Sequence, residues 1–179
     1  MVTILEERVG FRRRSLARHA RRVAPAAADL VRSRIGALPP IKLVLTGDPN
    51  HMAQVASQSE LDLVPGVSPR TIAKGMRRAR RNARTKQGVT ALAEHGVLVV
   101  VNLANVPTNR DVNAVLVHEF THGHQLGDPY SRVQHLAYCQ HEFRISVLPR
   151  RDIAAIEALI ARREIEAEQA EYLAAQLPA

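Results

Sequence analysis

"VLVVVNLANVPTNRDVNAVLVHEFTHGHQ", residues 97–125, decides the fold of this chain. Val97 to Leu103 is an apolar, β-branched run, which predicts a strand buried on both faces. "NVPTNRD" follows as a loop. Thr108 with Asp111 three residues on is a capping-box variant that opens a helix from Asn109 to Gln125. Into that helix the sequence sets His118, Glu119, His122 and His124, titratable groups in an otherwise apolar stretch. His118-Glu119-Phe120-Thr121-His122 reads H-E-x-x-H. Histidines four apart share one helical face, so both imidazoles can reach one Zn²⁺ at about 2.0 to 2.1 Å. Glu119 between them stands where a general base would take a proton from a metal-activated water and pass it to a leaving amine.

Upstream, Val89 to Ala93 and Val97 to Leu103 form a hairpin around "EHG". "SPRTIAKGMRRARRNART" opens with Ser68 as N-cap and Pro69 in the first turn, predicting a helix. "IKLVLT", Ile41 to Thr46, alternates like a strand, and "GDPN" is a turn. Residues 50–67 carry no decisive period; "LDLVPGV" fits a short strand or a loop. Residues 12–36 read as helix, with a break or restart expected at Pro25. Downstream, 131–147 and the strongly periodic stretch Asp152 to Gln176 read as helices. The expectation is one α+β domain over 1–179, helix-rich, with a small mixed sheet packed on the H-E-x-x-H helix and a long C-terminal helix. Within it, 1–40 reads as a basic N-terminal helical segment and 41–179 as the catalytic core.

The 179 residues suffice for one real core. A net charge of +8 is concentrated in Phe11 to Arg22 and Arg77 to Lys86. Such clusters can meet acidic surfaces or phosphates. No aromatic residues interleave with the arginines, which argues against base-stacking on single strands. Cys139, the single cysteine, excludes an internal disulfide and a Cys-rich metal knuckle, and reads as a small core residue. No stretch is long and apolar enough to span a membrane, and the first residues lack a secretory h-region. The expected location is the cytoplasm.

A catalytic zinc site takes three protein ligands and leaves a fourth position open. On a helical wheel of the last helix, Glu164 and Glu171 fall inside the apolar stripe of Ile153, Ile156, Ile160, Ala167 and Ala174. Glu166 points to the opposite side and Glu168 to the flank. A buried carboxylate needs a partner, and a cation would supply one. Asp128, His135 and His141 are rival ligands. Candidates for stabilising charge on an attacked carbonyl oxygen are His124, Tyr130, His135, Tyr138, His141 and Tyr172.

His118–His122 together with Glu164-Ile165-Glu166-Ala167-Glu168, "EIEAE", resembles the gluzincin metallopeptidases, in which a later helix completes the site through E-x-E-A-D or E-x-x-x-D. "HEFTHGHQ" is also similar to small bacterial and phage-encoded metallopeptidases. The resemblance covers residues 97–176 and implies a minimal zincin fold. It further implies Glu164 as third zinc ligand and Glu168, in the usual Asp position, as the acceptor orienting a histidine. It implies that the sheet edge before the active helix, here "VLVVVNLA", pairs with an extended protein or peptide substrate. His135 or His141 as ligand would instead resemble Spartan-like peptidases acting at DNA. Two functions follow as expectations: a zinc metallopeptidase with Glu119 as base, or a nucleic-acid- or phosphate-binding protein that uses the Arg-rich helices and keeps a zincin-like core structurally.

Overall fold

Strand order, rather than strand content, sets where the site can form. A computed structural model describes residues 1–179. Strands β1 (Val2–Glu7), β2 (Ile41–Thr46), β3 (Gly88–Ala93) and β4 (Gly96–Asn102) form one sheet in the order β1-β2-β4-β3. β1, β2 and β4 are parallel, and β3 is the antiparallel edge. The helices are α1 (Arg14–Arg34), α2 (Pro49–Leu61), α3 (Pro69–Ala83), α4 (Asn109–Gly127), α5 (Pro129–Glu142) and α6 (Arg150–Ala170), with a 3-10 segment at Glu171–Gln176. The protein is α+β, with a small mixed sheet.

The alternation of β2 and β4 builds a layer on each face. Leu43, Leu45, Val97, Val99 and Val101 join the main core with α1 and α4. Val44, Leu98 and Val100 point the other way, onto Met52 and Ala53 of α2 and Ala83 of α3. A strand buried on both faces is why Val97–Val101 has no polar residue. No helix is long and apolar enough to cross a membrane.

Several expectations change. Residues 1–40 are not a segment beside the core. β1 is a strand the sequence reading leaves out, and α1 buries Leu16, Ala20, Val23, Ala27 and Val31. Pro25 does not break α1, which runs through it. Pro25 and Arg21 both lie on the exposed face, so solvent can satisfy the carbonyl left without an amide partner. Residues 50–61 are helical: Asp48 accepts the Asn50 amide at 2.8 Å, Pro49 fills the first turn, and the buried Met52 and Ala53 pack on the sheet. The last helix ends at Ala170 and tightens to 3-10. β4 is interior, so "VLVVVNLA" has no free edge; β1 and β3 are the edge strands, and β3 is the one that borders the α4 histidines.

Candidate metal centre

α4 brings the site residues forward because its cap is fully made. The Thr108 hydroxyl receives the Asp111 amide, and the Asp111 carboxylate receives the Thr108 amide at 3.0 Å. From that start, Val112, Leu116 and Phe120 are fully buried against the core, while His118 and His122 face a cleft. The cleft is bounded by residues 85–90 on one side and by α6 and α5 on the others, with His135, Arg163, Glu164 and Glu171 among its walls.

In the cleft, His118 Nε2 lies 3.1 Å from His122 Nε2, and the rings meet edge to face. Glu164 reaches in from α6, with Oε2 3.2 Å from His122 Nε2 and Oε1 3.6 Å from His118 Nε2. The other ring nitrogens are committed. His118 Nδ1 donates to Glu171 Oε1 at 2.9 Å, and His122 Nδ1 donates to Gln125 Oε1 at 2.8 Å. The amide orientation of Gln125 is fixed by its Nε2, which donates to the Arg163 carbonyl and to Glu166. In the neutral rings each Nε2 then presents a lone pair, and the two face each other beside a carboxylate. That is unfavourable alone and is the donor set of a cation. Tetrahedral zinc with ligand bonds near 2.0–2.1 Å sets its donors about 3.3 Å apart, matching this triangle.

Glu119 is 5% exposed, next to the paired imidazoles. Burial pushes its carboxyl above the ordinary range, opposed by His122, by the Thr90 hydroxyl bond and by Lys86. Thr90 on β3 donates to Glu119 Oε2 at 2.7 Å and, bifurcated, to its carbonyl at 2.9 Å. Gly88 leaves the space that the carboxylate fills: a Cβ there would lie 2.5 Å from Glu119 Oε1.

No protein-family model, curated protein or solved structure matches the chain.

The structure brings His118, Glu119, His122 and Glu164 together and leaves other sequence candidates elsewhere. Glu168 is exposed with no side-chain bond; Glu171, seven residues beyond Glu164 on the same stripe, orients His118 instead. Glu166 supports Gln125 rather than facing the histidines. His124 points away, packing over Gly36 with its Nδ1 2.8 Å from the Ala37 carbonyl. Asp128 caps α5 through Ser131, whose amide and hydroxyl hold its carboxyl below the usual range. His141 accepts the Leu148 amide. Tyr138 points to Glu157; burial raises its phenol. Tyr130 and Tyr172 are exposed. Of the oxyanion candidates, only His135 lines the cleft, and it is paired to Glu60 at 3.0 Å. Sequence reasoning misses Thr90, Gly88 and Gln125. The i,i+3 spacing of Gln125 from His122 is a signal that could have found the last; the strand residues carry none.

Proposed function

We propose that this chain is a zinc-dependent peptidase. The observation that carries the reading is the convergence of two imidazole Nε2 atoms and the Glu164 carboxylate next to the buried acid Glu119, whose carboxyl burial raises. His118, His122 and Glu164 would hold the ion. When bound, it supplies Lewis acidity, making a nearby water a stronger acid and a substrate carbonyl more electrophilic.

The chain's own residues do the rest. Glu119 takes the proton of the attacking water and returns it to the departing amine. A carboxyl raised by burial is suited to both halves of that shuttle, since it binds the proton more firmly than a solvated acid does. Thr90 aims Glu119 by holding Oε2, which leaves Oε1 free. Glu171 and Gln125 keep both Nδ1 atoms protonated, so each Nε2 presents a lone pair. Lys86, exposed at the cleft mouth, supplies positive charge near an anion developing on the carbonyl oxygen.

The edge strand β3, whose Gly88, Val89 and Thr90 line the cleft, suits an extended polypeptide, which would add as a strand and run through the cleft. The basic face of α3, whose only buried residue is Ala83, favours acidic partners, nucleic acid included. One free cysteine fits a reducing compartment such as the cytoplasm.

The test pairs metal analysis of the purified protein with the Glu119→Gln variant, assayed on an unstructured polypeptide. The expected result is zinc in both proteins, the same fold and cleavage only by the parent. Zinc-free protein, or undiminished cleavage by the variant, overturns the proposal.

A further inference from the structure

A second set of donor atoms closes up where α2 meets α5. Glu60 lies in the last turn of α2, and His135 and Cys139 lie one turn apart on α5, so their side chains share a helical face. One donor atom from each falls within 4.8 Å of the other two. His135 Nε2 is 3.0 Å from Glu60 Oε1, the one ion pair joining these helices. Cys139 is buried and free. Glu142 also acts on the thiol, which is held far above its ordinary range by burial and by these carboxylates.

The chemistry of the trio is that of a borderline-soft cation. Sulfur, imidazole nitrogen and carboxylate oxygen together suit zinc better than magnesium or calcium, which prefer oxygen alone. A thiolate and a carboxylate would neutralise its two charges. On a chain of net charge +8, this is a locus of concentrated negative and sulfur donors. It also sits at the carbonyl end of α2, the end that favours cations.

We propose that Glu60, His135 and Cys139 form a second divalent-cation site, of the zinc class, that pins α5 to α2. Because His135 also lines the cleft beside His118 and His122, an ion there fixes one wall of the groove. The inference does not rest on the peptidase reading. It would stand if the chain cleaved nothing.

The test is Co²⁺ titration of the full chain after chelator treatment. Cobalt bound to a thiolate gives an intense near-ultraviolet charge-transfer band, and the His118–His122–Glu164 site contains no sulfur to produce one. The expected result is two equivalents bound, with the band following one of them. Cys139→Ser removes the band and that equivalent. His118→Ala/His122→Ala removes the other equivalent and keeps the band. Glu60→Gln, at a partly exposed position, weakens the band in a protein of unchanged circular dichroism, which covers a folding failure at the buried Cys139. A folded parent with no thiolate band overturns the proposal, as does a band that survives Cys139→Ser.

Discussion

Replacing Gly88 by alanine is a test of how tightly Glu119 is held. The new Cβ would lie 2.5 Å from Oε1, 2.8 Å from Cγ and 2.9 Å from Cδ of Glu119. Ordinary contact begins at 3.4 Å, so the carboxylate must retreat by roughly 0.9 Å. It has little room to do so: the side chain is 5% exposed and bonded to Thr90. Gly88 is not among the positive-φ glycines, so the backbone accepts alanine and the strain falls on the acid. A displacement near 1 Å of a group that must meet a reacting atom costs about 100-fold in rate. The three atoms nearest that Cβ all belong to Glu119 and none to His118, His122 or Glu164, so metal content should not change. The expected outcome for Gly88→Ala is a kcat about 100-fold lower on an unstructured fluorogenic polypeptide, with parental zinc content and circular dichroism. A folded, zinc-loaded variant within about twofold of the parent would refute the argument that this wall fixes the base.

Other predictions concern the surroundings of the site. Glu171→Ala should weaken zinc binding about 10- to 100-fold by freeing His118 Nδ1, while Glu168→Ala should leave it unchanged; competition with a chromophoric chelator measures both. Asp48→Ala removes the α2 cap and should cost about 1 kcal/mol at pH 7 by urea unfolding. Burial alone would raise the Asp48 carboxyl, but bonds from Arg8 and the Asn50 and His51 amides outweigh it and lower the net value. The lowered acid stabilises the fold above its unfolded pKa of about 3.9, and the gap between parent and variant should close as pH falls through the folded value. Gly96→Ala should cost about 3 kcal/mol or more in the same assay, because φ there is +100° and a Cβ would strike the Pro40 carbonyl.

What was legible in the sequence was local. The α4 cap needs only Thr108 and Asp111, and the H-E-x-x-H face needs only helical spacing. The two-sided burial of Val97–Val101 showed as an unbroken apolar run. What was not legible depends on how distant segments meet. The edge of the sheet does not follow from the sequence because β4 inserts between β2 and β3, an order no neighbouring residues encode. By helical spacing Glu164 and Glu171 share one stripe of the last helix, although Glu171 begins the 3-10 segment. Which meets both imidazoles and which orients one is set by how far α6 slides along α4, about 10 Å per seven residues. Pro25 read as a break because its exposed position depends on what α1 packs against. Thr90 and Gly88 are ordinary strand residues until Glu119 arrives from α4.

Along Arg150–Ala170, only Ile156, Ala167 and Ala170 are buried, so little apolar surface fastens this helix to the body. The turn at 163–166 is tethered by polar contacts: Glu164 to the two histidines, the Arg163 carbonyl and Glu166 to Gln125, and the Arg163 guanidinium to Ser131. Amide hydrogen exchange there should therefore act as an occupancy gauge: slow while a cation bridges the helices, and fast through sub-global opening once a chelator takes it away.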